Sequence, residues 1–307
     1  SETLPFNSVP QTDPLTGESD DALGKLRKRG HIPKIMHVVT STEYWSRGAS
    51  LLHTDVAGRQ DVKSDTNVRT YLVSSAHHLG GGPTTKGICR YPRNPLKDRG
   101  CVLRALLTAL EQWVEDGREP PGSRHPRLAD GTLVDVDTLR KQFPVCTAIP
   151  FVPGSFYRPC RLDFGPERKS NGIADILPPK RGKEYRTLVP AVDADGLDIA
   201  GIRLPDVTVP VATYTGWNLR AAKHGSPDMI VGLFGSYVEF PRTKQQRLAS
   251  ADPRPSIQER YATKEVYLAR VRKAAEDLVA QRLLLAEDVD PIVTEAAKRD
   301  FWSPVAD

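Results

Sequence analysis

No apolar run in this chain of 307 residues approaches the roughly 18 needed to cross a bilayer as a helix, which excludes a membrane-spanning helix. Internal repeats and low-complexity tracts are absent too. The formal charge is +5, but the basic residues never gather: the longest basic stretch, "GKLRKRG" at 24–30, has no interleaved aromatics to stack on bases. That argues against nucleic acid as a partner. Cysteine is scarce. The four, Cys89, Cys101, Cys146 and Cys160, lack the CxxC spacing of a zinc site, so no metal is expected. They fall as two local pairs, each across a Pro-rich loop. One reading is two small-loop disulfides in a periplasmic or secreted protein; the other is four unpaired thiols in a cytoplasmic one. No signal peptide is visible, although the chain begins at Ser1 rather than Met, as a mature or cleaved product would.

What is present points to an α/β fold. Hydrophobic content of 39% and charged content of 26% are ordinary for a globular chain long enough for one large domain or two modest ones. The 26 prolines and 23 glycines predict many turns rather than a helical bundle. "IPKIMHVVT" (32–40) and "NVRTYLVSS" (67–75) read as buried strands. "CVLRALLTALEQWVEDG" (101–117) carries Leu103, Leu106, Leu107, Leu110, Trp113 and Val114 at the spacing of one helical face, with Leu106, Leu110 and Trp113 as core, and ends at Gly117. From about 119 to 185 the chain is rich in turns. "TLVPAVDADGLDIAGIRLP" reads as a hairpin-like pair around Asp195-Gly196, "DADG" being a turn rather than a calcium loop because the later ligand positions are missing. Ser256 and Glu259 fit a capping box, and Thr263 caps a long helix with Tyr267, Val271, Ala274 and Leu278 on one face. Residues 1–118 are thus expected to form core strands and a helix, and 119–307 a Pro-rich β segment and helical tail packed on them.

The chemistry collects where the two strands end. The first runs into "TSTEYW" and places Glu43 just past its end; the second runs into "SSAHHLGGG" and places His77 and His78 there. In open α/β sheets ligands bind at the C-terminal edge of the strands. If the strands are parallel neighbours, a carboxylate fixes one imidazole nitrogen and leaves the other to take a proton from a hydroxyl, which is two-thirds of a catalytic triad. The following glycines leave the histidine an uncrowded turn. Asp55 and Asp61, also between the strands, are alternatives for the acid. Two adjacent rings in extended chain point to opposite faces, which disfavours chelation of a metal by both. Trp45 and Trp217 line a substrate pocket or simply pack. The nucleophile is missing: no G-x-S-x-G elbow occurs, and "VPGSFYRP" and "LFGSYVEF" offer Gly-Ser without the second glycine.

"HIPKIMHVVTSTEYWSRGASLLHTD", "NVRTYLVSSAHH", "NPLKDRGCVLRALLTAL", "RLADGTLV", "VPAVDADGLDIAGIRLPDV" and "ATYTGWNLR" together resemble the C-terminal part of the family known as "alpha/beta hydrolase domain", large serine hydrolases of bacterial origin. The resemblance covers roughly residues 10–300. It implies the C-terminal part of an α/β-hydrolase sheet and a Ser–acid–His triad acting on esters, its serine in a preceding half or separate chain that would be the necessary partner, with no cofactor. On the family's pattern Glu43 is the acid and His78 the base; His77 is the fallback, since the family commonly has Gln-His where this chain has His-His. Two rival readings remain: a catalytically silent binding module that keeps the hydrolase-like sheet, and an N-terminal-nucleophile hydrolase using Ser1.

Overall fold

The structure, a computed structural model, describes residues 4–80, 82, 84–96, 99–144 and 156–303. Strand β1 (Ile35–Thr40) runs straight into helix α1 (Ser41–Ser46), and strand β2 (Val68–Val73) lies beside β1 in parallel, with Ile35 opposite Val68 and Thr40 opposite Val73. Helix α2 (Arg99–Glu115) packs on β1, its buried Trp113 ring capped by Lys34 at 4.5 Å and Arg69 at 4.7 Å. On its other edge β2 continues through single bridges to Arg124 and Ile202. Short antiparallel pairs make up the rest of the described sheet structure, among them Ala212–Tyr214 with Tyr237–Glu239. The tail is helical: α3 (Lys264–Ala280) and α4 (Val289–Ala297) pack on each other.

Side chains that alternate along β2 enter different cores, as a pleated strand buried on both faces requires. Tyr71 and Val73 join the largest cluster, with Val102 and Leu106 of α2, Leu197 to Val211, and Tyr267, Val271 and Leu278 of α3. Leu72 points the other way, to Tyr44, Leu133 and Leu188. The expected caps are in place: Ser256 and Glu259 form a capping box, and Thr263 accepts the Val266 amide.

Two expectations change. The apolar face of α2 is split. Leu106 and Trp113 are buried and Leu110 is half-buried, but Leu103, Leu107 and Val114 are 43%, 67% and 62% exposed. Apolar residues recur on both flanks of this helix, and spacing alone does not tell which flank meets the core. No disulfide joins Cys89 to Cys101; both are buried thiols, and burial raises the Cys89 pKa, as for an inert core thiol. Cys160 is likewise a buried thiol, and Cys146 lies outside the described residues. Among the described residues, then, no disulfide marks an oxidising compartment. "DADG" forms a turn, with Asp193 accepting the Asp195 and Leu197 amides at 3.0 and 3.1 Å and Asp195 paired to Arg260. Among the described residues no helix is long and apolar enough to cross a membrane.

One buried pair predicts a pH dependence. His53 is fully buried, bonded through Nε2 to the Tyr44 hydroxyl at 2.8 Å and stacked on His125 at 4.2 Å, while its Nδ1 has no hydrogen-bond partner. Burial, reinforced by the neighbouring His125, holds His53 well below the ordinary 6.5. A folded state that keeps this ring neutral takes up a proton on unfolding below that value, so stability is present above it and lost as pH falls. The stability of the wild type relative to His53→Phe is expected to fall as pH drops below 6.5, with a limiting slope of about 1.4 kcal/mol per pH unit. Denaturant melts of both proteins at several pH values check this; a constant difference between them would refute it.

Candidate active site

At the C-terminal edge of the β1–β2 pair, Glu43 and His78 meet. Parallel register brings the ends of the two strands level, so α1 and the turn after β2 emerge side by side. Glu43 is the third residue of α1 and reaches back to its start, where Oε2 accepts the Thr40 amide at 2.6 Å and the Thr40 hydroxyl at 2.5 Å. This is the side-chain half of a capping box. It spends one carboxylate oxygen on the helix and leaves Oε1 to accept from His78 Nδ1. A carboxylate can only accept, so the proton on Nδ1 follows from the pairing. The Glu43 side chain is 16% exposed and the His78 side chain 47%, so the ring presents itself to a group arriving from outside. Among the described residues no serine or threonine hydroxyl is bonded to the His78 ring.

The backbone of His78 is held as well. Its amide donates to Thr42 Oγ1 at 3.2 Å, and that hydroxyl donates to the Gly216 carbonyl at 2.7 Å. A Cβ at Gly216 would stand 2.4 Å from Ser41 Cβ and 2.6 Å from the Thr42 amide. Gly216→Ala is therefore expected to push α1 out of place and cost about 1–3 kcal/mol of stability. Thermal denaturation reads this loss; an unchanged Tm would show that the contact is slack.

The other candidates lie elsewhere. His77 is 1% exposed, its ring 6.3 Å from that of Phe234, and it is not bonded to Glu43. Asp55 Oδ1 accepts the Arg59 and Gln60 amides of its own loop at 2.5 and 3.2 Å, and Asp61 accepts the Leu128 and Ala129 amides, both at 2.9 Å. Neither faces a histidine of the pair. Trp45 and Trp217 are 4% and 2% exposed, with ring centroids 6.1 Å apart in a cluster with Phe143 and Val189; they pack against each other rather than line an open pocket. The hydroxyl of Ser236 in "LFGSYVEF" donates to the Trp217 carbonyl at 2.7 Å in a fully buried position. Ser155 of the other Gly-Ser pair, and Ser1, lie outside the described residues.

Residue-type reasoning missed Asp198. It is buried beneath the two strand ends, where Oδ2 accepts the Ser41 hydroxyl and the Ser75 amide. Burial pushes its carboxyl up to about 6, against the pull of those two hydrogen bonds. Nothing in "GLDIAG" marks it as a site; only its partners, more than a hundred residues away, do. Among the described residues no cluster of three or more His, Cys, Asp or Glu side chains is placed to hold a metal.

A family model described as "Alpha/beta hydrolase domain" matches residues 4–294. No curated protein and no solved structure matches the chain.

Proposed function

We propose, on the premise that the chain belongs to the alpha/beta hydrolase domain family, that it supplies the acid and base of a Ser–Glu–His triad that hydrolyses carboxylic esters. The serine would lie on a preceding half, in the same or a separate polypeptide. One observation carries this reading: a glutamate and a half-exposed histidine, from the ends of adjacent parallel strands, hydrogen-bond through Nδ1, with no hydrogen bond to Nε2 among the described residues.

The chemistry follows from that geometry. Nε2 of His78 takes the serine proton as Oγ attacks the ester carbonyl, and Glu43 stabilises the imidazolium that forms. Backbone N–H groups, one following the serine, hold the oxyanion. The imidazolium then protonates the departing alkoxide as the acyl-enzyme forms. In the second half-reaction His78 takes a proton from water, the hydroxide oxygen displaces serine from the acyl carbon, and the proton returns to serine.

The surface beside the pair favours a preceding half as partner. Among the described residues β1 pairs with β2 alone, and its apolar residues Ile35, Met36, Val38 and Val39 stay only half-buried. Parallel sheets are ordinarily covered on both faces and continued at their edges. Leu103, Leu107 and Val114 form an exposed apolar stripe on the helix that covers this strand. Leu107→Glu is expected to leave the stability of this chain within about 0.5 kcal/mol, since surface changes are usually that small. It should weaken association with the serine-bearing half by about tenfold, the equivalent of one apolar side chain left unburied. Titration of one half into the other reads the affinity; unchanged binding would place the partner elsewhere. The function itself is tested by fluorophosphonate labelling of the complete hydrolase, which should tag a serine outside this chain; labelling of nothing, or of a residue remote from His78, would defeat the proposal.

A further inference from the structure

We infer that Asp198 is a positioning residue for the Glu43–His78 pair: its carboxylate ties the turn after β1 to the turn after β2 and so holds acid and base in contact. The inference rests on the catalytic pair proposed above and adds a residue to it.

Asp198 reaches both turns with one atom. Its Oδ2 accepts the hydroxyl of Ser41, two residues before Glu43, and the amide of Ser75 at 2.7 Å, three residues before His78. A return bond, from the Asp198 amide to Ser75 Oγ at 2.9 Å, closes the pair. Ser75 has φ +56°, in the left-handed region that a residue with a Cβ enters at a cost. The two bonds to Asp198 hold it there, and that turn delivers His78 toward Glu43 rather than along the line of the strand. Asn94 secures the same turn from another side, donating to the Ser75 carbonyl at 2.8 Å.

The frame that presents Asp198 is rigid. Ile202 donates to the Leu72 carbonyl at 2.7 Å, the Ser74 amide to the Ile202 carbonyl at 3.0 Å, and Ser74 Oγ to the Ala200 carbonyl at 2.5 Å. Gly201 lies so close that a Cβ would stand 2.6 Å from the Leu72 carbonyl oxygen. Segment 198–202 is therefore clamped along the end of β2. Asp198 is 7% exposed, and among the described residues no cation hydrogen-bonds it; Arg203, close enough to act on it through charge, bonds Asp193 at 2.9 Å. A buried carboxylate without a bonded cation is costly. What it provides in return is an acceptor whose bonds are charge-assisted and stronger than those of a neutral oxygen.

The test uses the complete hydrolase. Asp198→Ala is expected to lower kcat by about a hundredfold, the effect of misplacing a catalytic group by an ångström, with KM changed less than about threefold. The low-field proton resonance of His78 Nδ1 should shift upfield or vanish while circular dichroism stays native. Asp198→Asn, whose neutral amide oxygen can still accept both donors but more weakly, should restore part of the rate and the resonance. If Asp198→Ala does not fold, Ser41→Ala removes one of the two ties and should lower kcat by about tenfold with the same loss of signal. Folded Asp198→Ala or Ser41→Ala protein with an unchanged rate and an unchanged His78 resonance would overturn the inference. So would a loss of rate that merely tracks the unfolded fraction. Should His78→Ala retain turnover, the catalytic pair falls, but the resonance still decides whether Asp198 holds the contact.

Discussion

His78→Ala is expected to lower kcat/KM for ester hydrolysis by the complete hydrolase by about 10⁴-fold or more, since removing the base of a triad leaves only binding and the oxyanion donors to act. The change should not unfold the protein: the side chain is 47% exposed, and its bond to Glu43 is its only side-chain hydrogen bond among the described residues. His77→Ala is the matched control. That ring is 1% exposed and packed near Phe234, so its removal leaves a cavity and lowers stability by about 2–4 kcal/mol without touching the chemistry of the protein that stays folded. Kinetics on an ester panel, with Tm measured for each variant, separates the two. A His78→Ala enzyme that turns over esters as the wild type does would end the triad assignment. If His77→Ala alone lost activity while staying folded, the base would be the other ring.

Glu43→Gln is expected to lower kcat by about 10³–10⁴-fold, the scale seen when the orienting carboxylate of a triad becomes an amide. The substitution is informative because Glu43 does two things. Its Oε2 caps α1 at Thr40, and its Oε1 orients His78. Glutamine can still cap, since Glu and Gln both serve at that position of a capping box, so helix and Tm should be nearly unchanged. What is lost is the negative charge beside the imidazolium, together with the certainty that Nδ1 carries the proton. Glu43→Ala removes both and should add a stability loss of about 1 kcal/mol, the size of a cap. A Glu43→Gln enzyme with a wild-type rate would mean that the carboxylate serves the helix alone.

How much of this could be read from the chain varies by element. β1 and β2 were legible because β-branched and apolar residues dominate 35–40 and 68–73, interrupted only by His37 and Arg69, the composition of a largely buried strand. Their parallel pairing was an assumption of the sequence reading, and the register makes it fact. The helical tail was legible through its caps, which are local. Leu103, Leu107 and Val114 misled because an apolar periodicity records that a flank avoids water, not what covers it. The cysteine pairs misled because closeness in sequence is not geometry: Cys89 and Cys101 are each buried as thiols in a core. Glu43 was preferred over Asp55 for its place beside the strand end. The structure gives a physical reason, since Asp55 is occupied by the amides of its own loop.

By itself the sequence determined that two apolar strands end in a glutamate and a pair of histidines, because residue type and local periodicity are all that such a pattern requires. Tertiary structure decided which histidine turns outward and which is buried, that Glu43 has an oxygen to spare after capping its helix, and that a carboxylate from residue 198 lies beneath both. Those outcomes depend on strand register and on hydrogen bonds between residues 35, 123 and 157 positions apart, distances over which no local pattern carries information.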